Sequence, residues 1–288
     1  MMVSFIQALL DGLMVGGVYA VISIGLTLVF GIMGIVNFAQ AEFLMIGMFV
    51  AYFLWSVLGL DPLVGSFVAF AVVGALGYVL QRTIIKRVLK APAVAQVFLT
   101  VGLLIVLENG ALLAFGSQLR SVSVSYQTLS WKLGPFFISV PYLAAFAMSV
   151  LSGLALWLFL NRSWFGWAMR STAQDPMAAQ LIGINTDRLR AIAFGVGVGL
   201  TAFGGAVVLP YLSVFPTIGG QFIVLMFTVA VLGGLGSVAG AVVGGLAVGV
   251  ITSVSALFLP VQLQNLVLFL VFIAVLAFRP DGLIGSAR

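Results

Sequence analysis

Apolar runs, each near the length of a bilayer crossing, alternate with short polar joints along most of this chain. A spanning helix needs about 20 mostly apolar residues. The pattern predicts spans near 5–30, 40–58, 63–81, 94–115, 139–160, 191–212, 220–236, 238–258 and 261–278. The seventh and eighth share one Gly-rich run, which also reads as one span plus a re-entrant piece. The expected fold class is an all-α polytopic membrane protein with eight or nine transmembrane helices, forming one transmembrane domain over residues 1–288. The opening MMVSFIQALLDGLMVGG has no basic region ahead of its apolar run. It therefore reads as part of the first span rather than as a cleaved signal peptide.

The longest polar interruption is 161–190. Within it, Asp175 suits a helix N-cap, and Pro176 suits the first helical position, where no amide hydrogen is needed. Met177, Ala178, Leu181 and Ile182 fall on one face of the helix that follows. Gly183 can take the left-handed conformation that ends it. Asn185, Thr186 and Asp187 then offer caps for the next helix, and Arg170 and Arg188 flank the whole. The stretch predicts a small amphipathic helix between two spans, of a kind that suits a soluble partner pressing on it. The other large polar segment is 116–138, where Ser121 to Tyr126 alternates as in a short strand or hairpin. It serves either an external partner or simply as a connector.

Composition agrees with this picture and narrows the chemistry. Of 288 residues, 63% are hydrophobic and 7% charged, against about 25% charged in soluble proteins. There is no cysteine and no histidine. Thiolate sites, disulfides, histidine metal sites and histidine triads are thereby excluded, and neither a metal nor a cofactor is expected. Twelve cations face seven acids, a surplus that in a membrane protein reports topology rather than nucleic-acid binding. With nine spans, Arg82, Lys86, Arg87 and Lys90, then Arg162, Arg170, Arg188 and Arg190, then Arg279 and Arg288, all fall on one side. Only Arg120 and Lys132 lie opposite. The positive-inside rule makes the basic side cytoplasmic, with the N-terminus outside and the C-terminus inside. With eight spans the rule still fixes the C-terminal half.

Several polar groups interrupt the apolar runs. Asn37 and Gln40 have the spacing of a capping box opening the second helix. Glu42 is followed by unbroken apolar sequence, so it either lies at the interface or faces a polar cavity. Glu108 and Asn109 sit inside the fourth span, where a charge costs roughly 2.5–3.5 kcal/mol on insertion scales. They either bond between helices or line a path. Asp11 reads as interfacial. Pro210 and Pro216 break the helix after the sixth span, as an external turn or as part of a vestibule. Gly236, Gly240 and Gly244 recur at four-residue spacing, as small residues do where helix backbones approach in lipid. Gly234-Leu235-Gly236 with Gly240 has neither the spacing nor the context of a dinucleotide fingerprint. No P-loop pattern exists, so if ATP drives the chain another polypeptide binds it.

GLTLVFGIMGIVNFAQAEFLMIG resembles the signature of permease subunits of branched-chain amino acid ABC importers. Asn37, Phe38, Ala39 and Glu42 match that family's Asn-Phe-Ala-His-Gly-Glu core, while Gln40 and Ala41 replace its His and Gly. RSTAQDPMAAQLIGINTDRLRAIAF resembles the family's cytoplasmic loop, VAVLGGLGSVAGAVVGG its Gly-rich C-terminal signature, and FRPDGLIG its ending. The motifs stand in family order over nearly the whole chain, and its length resembles the smaller of the two permeases. The resemblance implies residence in the bacterial inner membrane and assembly with two ATP-binding cassette subunits, a second permease that is either a related chain or another copy of this one, and an external substrate-binding protein. It implies that residues 161–190 dock on the ATPase. Hydrophobic amino acids are the expected substrate; the same family also imports urea and short amides.

The expected function is therefore a non-catalytic permease with alternating access, coupled through 170–190 to separate ATPase chains, with Asn37, Gln40, Glu42, Glu108 and Asn109 as path candidates. An ion-driven secondary transporter is the reading from another class, since it too carries few intramembrane carboxylates. An energy-free channel would only equilibrate solute. An intramembrane enzyme finds no nucleophile–base pair in the sequence.

Overall fold

The computed structural model describes residues 2–279 and 282–284. The family-like ending from Phe278 to Gly285 therefore lies partly outside the described residues, and Arg288 wholly so. The helices are α1 Met2–Met33, α2 Gln40–Leu58, α3 Pro62–Thr83, α4 Ala93–Phe115, α5 Val140–Arg162, α6 Trp164–Gln174, α7 Pro176–Leu181, α8 Thr186–Val208, α9 Gly219–Gly233, α10 Val238–Ser255 and α11 Val261–Phe278. A 3₁₀ turn at Ile85–Val88 links α3 to α4. One antiparallel hairpin, β1 Ser130–Leu133 with β2 Phe136–Ser139, precedes α5.

Among the described residues, nine apolar helices occupy the nine expected places, and seven of them are long and apolar enough to cross a membrane. The shared Gly-rich run resolves into α9, a turn at 234–237, and α10. With 15 residues, α9 reaches only about 22 Å at 1.5 Å per residue, short of a hydrocarbon core of about 30 Å. The sixth expected span shifts: α8 begins at Thr186, because Asn185 caps it, and stops two residues ahead of Pro210.

Two pairs of antiparallel helices build the centre. Along α3 and α8, Gly74 meets the backbone of Gly195. Along α1 and α10, Gly16 meets Gly245 and Leu246, and Gly12 meets Val250. Where α1 crosses α8, a Cβ added at Gly197 would lie 2.8 Å from the carbonyl oxygen of Gly25. Such closeness lets helices associate in lipid, where no hydrophobic force drives them together. α1 and α8 are almost wholly enclosed, whereas α4 and α5 keep most side chains at the surface.

The two ends of the bundle differ in charge. Lys86 Nζ lies 2.6 Å from Asp187 Oδ2, which fastens the α3–α4 joint to the 161–190 stretch. Ile32 packs on the cluster of Ala168 and Met169, and Gly31 meets Gly236, so α1 and the α9–α10 turn end here too. Leu283 N donates to Leu232 O at 2.8 Å, which brings the tail to the same place. This is the basic end. The hairpin marks the other, clamped to α1 by Gln7, whose Nε2 donates to Phe137 O at 2.7 Å and to Asp11 at 3.0 Å.

The strands fall at 130–139, not at Ser121–Tyr126 as the alternation suggested. There the alternation serves burial: Arg120 exchanges backbone hydrogen bonds with Val214 at 2.9 and 2.8 Å, and Val122 is buried while its neighbours face outward. Tyr126 then donates to Asp61 Oδ1 at 3.0 Å, pinning the segment to the α2–α3 turn. Burial first, then that hydrogen bond and the charge of Asp61, raise the phenol above its ordinary pKa.

Candidate functional site

At the basic end, α6 and α7 form a knob. Ser163 caps α6 by accepting from Gly166 N at 3.0 Å. Asp175 caps α7: its Oδ1 accepts from Met177 N at 2.8 Å and Ala178 N at 3.0 Å, with Pro176 at the first position. At the other end Gly183 has φ +87°, reached without cost only by glycine. Gly183 N donates to Gln180 O and Ile184 N to Ala179 O, both at 3.0 Å, the paired bonds of a Schellman motif. Ala179 alone is buried; Ala178 is exposed, and Met177, Leu181 and Ile182 are 75%, 85% and 74% exposed. A six-residue helix whose Met177, Ala178 and Leu181 are bare, with Ile182 bare at its C-cap, cannot stabilise itself by burial, so the caps carry its shape.

The knob is fixed to its neighbours. Arg170 Nη1 donates to Leu160 O at 2.6 Å and Asn161 Oδ1 at 2.8 Å, so this residue ties α6 to α5. Gln180 Nε2 donates to Thr186 Oγ1 at 2.7 Å, and Asn185 Oδ1 accepts from Arg188 N at 3.0 Å, joining α7 to α8. Asp187 holds Lys86. The guanidinium of Arg188 has no partner among the described residues.

A second polar cluster lies inside the bundle. Asn37 does not cap α2; Ala39 holds that position without a side-chain bond. Instead Asn37 Nδ2 donates to Gln40 Oε1 at 2.8 Å, and Gln40 Nε2 reaches Thr201 Oγ1 at 2.7 Å, near the middle of α8. Thr201 in turn donates to Ile22 O at 3.1 Å in α1. The expected capping box is thus spent across three helices, and α2 begins inside the bundle rather than at its surface. Irregular backbone at that depth is tolerated because protein surrounds it. Glu42 is 1% exposed, and its Oε2 has no hydrogen-bond partner among the described residues. Its carboxyl lies against Gly219, where a Cβ would sit 2.8 Å from Cδ. The carboxyl group therefore sits at the positive end of the α9 dipole.

On the other side of that helix start, Gly220 and Gln221 border a cavity of about 710 Å³ that extends toward the hairpin end. Tyr19, Tyr142 and Tyr211 also line it, the rings of Tyr142 and Tyr211 stacked with centroids 4.3 Å apart. Three tyrosines this far apart in sequence gave no signal before the fold was known. The loop from Pro210 to Pro216 forms part of this wall through Tyr211 and Leu212. Among the described residues, neither Glu108 nor Asn109 hydrogen-bonds to either cluster. Glu108 is half-exposed on α4, and Asn109 is exposed, its Nδ2 bonded to Ile105 O at 2.8 Å. Of the glycine series, Gly240 and Gly244 seat α10 against α9, whereas Gly236 lies in the turn before α10 with φ +92°.

A family model described as branched-chain amino acid transport system / permease component matches residues 8–276. The chain belongs to this permease family. It is 34% identical over 296 residues to the high-affinity branched-chain amino acid transport system permease protein LivH of Escherichia coli strain K12, covering 98% of this chain and 96% of that one. The corresponding permease protein BraD of Pseudomonas aeruginosa is 33% identical over 294 residues, with the same coverages. A probable branched-chain amino acid transport permease protein of Methanocaldococcus jannaschii is 25% identical over 293 residues, covering 97% and 92%. No solved structure matches the chain. Family membership makes this a multi-pass membrane permease, and its bundle of apolar helices accords with that.

Proposed function

We propose that the chain is one permease subunit of an ATP-driven importer for branched-chain amino acids, moved by separate ATPase subunits that grip α7. The exposure of Met177, Leu181 and Ile182 on a capped, anchored helix carries this reading. An uncovered apolar face on such a knob fits a groove on a soluble partner. The names borne by the LivH and BraD relatives support the substrate class. The density of cations supports a cytoplasmic basic end. Two ATPase chains below, a second permease beside, and a binding protein feeding the hairpin end complete the assembly. Solute passes by way of the tyrosine-lined cavity and the joint between Glu42 and the start of α9. The test is reconstitution with the ATPase subunits. Leu181→Glu with Ile182→Glu is expected to strip the ATPase from the purified complex and abolish leucine accumulation in vesicles. Full ATPase retention by that variant, or accumulation by the wild-type chain without any nucleotide-hydrolysing subunit, would overturn it.

A further inference from the structure

Two cavities outside the knob and the polar joint lie on one flank of the α3–α8 seam. At the basic end, a pocket of about 450 Å³ is lined by Tyr78, Arg82, Lys86, Asn185, Asp187 and Arg188. Lys86 and Asp187 neutralise each other at 2.6 Å, which leaves two guanidinium charges facing the space. Arg82 is braced over the Tyr78 ring, 5.7 Å from its centroid, with Nη1 donating to the phenol oxygen at 3.2 Å. Deeper in the bundle, a cleft of about 410 Å³ between α3, α5 and α8 is walled by carbon, with Phe67, Phe70, Leu156, Phe159, Leu200 and Phe203 as its main surfaces.

Helical periodicity joins the two. Phe67, Ala71, Ala75, Tyr78 and Arg82 follow one row of three- and four-residue steps on α3. Phe203, Leu200, Val196, Ile192 and Arg188 do the same on α8. Because the helices are antiparallel, the two rows border the same side of their seam. Twelve residues separate Phe70 from Arg82, about 18 Å of helix. That is close to one half of a hydrocarbon core of about 30 Å. The cationic pocket thus lies where headgroup phosphates lie when the cleft lies near mid-bilayer.

We propose that this groove holds an anionic phospholipid of the leaflet at the basic end, its phosphate between Arg82 and Arg188 and one acyl chain in the α3–α5–α8 cleft. Guanidinium forks match phosphate oxygens in geometry as well as charge. A free phosphate or an acidic side chain of a partner would satisfy the two arginines but leave the carbon-lined cleft unexplained. The inference does not depend on how the knob is driven. It adds that the lipid, by holding Arg188, steadies the start of α8 directly after α7.

Native mass spectrometry of the full chain in detergent tests this, with phosphatidylglycerol or phosphatidylcholine of matched acyl chains added. Retention of phosphatidylglycerol is expected to exceed that of phosphatidylcholine by about tenfold. Arg82→Gln with Arg188→Gln, both at exposed positions, is expected to erase the preference, and Leu200→Trp to weaken both lipids by filling the cleft. Inorganic phosphate and glycerophosphoglycerol, which lack acyl chains, are expected not to displace the lipid. Equal retention of the two lipids by the wild-type chain would overturn the proposal. So would an undiminished preference in the arginine variant, or displacement by inorganic phosphate, which would make this a free-anion site. If Leu200→Trp does not fold, Val196→Phe narrows the same cleft and is read in the same way.

Discussion

The N-cap of α7 offers the sharpest test of how the knob works. Asp175→Ala removes the oxygen that accepts from two amides, at 2.8 and 3.0 Å. Loss of an N-cap costs about 1 kcal/mol, which is roughly a fivefold change in an equilibrium constant. In a long helix that loss would be spread over many residues. In α7 it falls on six, of which only Ala179 is buried, so the ratio of formed to frayed knob is expected to fall by about fivefold. The carboxylate lies at the surface and supports no core, so global stability should hardly change. The assay is leucine uptake and ATP hydrolysis by the complete importer in vesicles. Uptake per ATP hydrolysed is expected to fall by up to about fivefold in Asp175→Ala, with expression and detergent stability preserved. Asp175→Asn, which accepts the same two bonds, is expected to restore it. If alanine behaves as wild type, the knob does not transmit force through its fold. If asparagine is as damaging as alanine, the charge of Asp175 matters rather than its cap, and the reasoning fails.

Three further outcomes follow from the geometry. Gly183→Val forces a β-branched residue to φ +87°, at a cost of about 1–2 kcal/mol, and the same uptake assay should show a loss at least as large as that of Asp175→Ala. Glu42→Gln keeps the shape of the side chain but replaces the ionisable carboxyl at the start of α9 by an amide; uptake is expected to fall while thermal stability holds, and unchanged uptake would assign Glu42 to packing alone. Gly197→Ala should lower the unfolding temperature sharply, since the new Cβ would meet Gly25 O at 2.8 Å, whereas Gly110→Ala, with open space around it, serves as a neutral control.

The knob was legible in the sequence because its determinants are local. Asp175, Pro176 and Gly183 each act within three or four residues, and each took the expected role. α6 went unread because Trp164–Gln174 falls inside the polar 161–190 stretch, whose legible helix was the one capped by Asp175; the Ser163 cap could have signalled its start. Gln40 was misread for the opposite reason. Its spacing from Asn37 satisfies a local motif, yet its amide is used against Thr201, 161 residues away. No periodicity reports such a contact. α9 and α10 were separate spans in one reading of the sequence and a span with a re-entrant piece in the other, because glycines relax the boundary between helix and turn. φ +103° at Gly234, φ +92° at Gly236 and the Ser237 cap, which accepts from Gly240 N at 3.0 Å, mark it.

The bundle also repeats one arrangement in opposite directions. α1 is followed by a break, then by α2, which starts at mid-depth and runs toward the hairpin end. α8 is followed by a break, then by α9, which starts beside Glu42 and runs toward the basic end. The third helix of each half packs on the long helix of the other: α3 on α8 through Gly74 and Gly195, α10 on α1 through Gly16 and Gly245. This exchange interlocks the halves. α8 cannot tilt without carrying α3, nor slide without colliding at the Gly25–Gly197 crossing, where backbones already touch. α2 is clasped to α8 as well, Gly47 meeting Ala202, Gly205 meeting Leu44 and Gln40 reaching Thr201, and its first turn meets α9 where the Glu42 carboxyl faces Gly219. A displacement of α8 imposed from the knob would therefore carry α2 with it and shift the Glu42 carboxyl against the start of α9, where Gly220 and Gln221 wall the tyrosine-lined cavity.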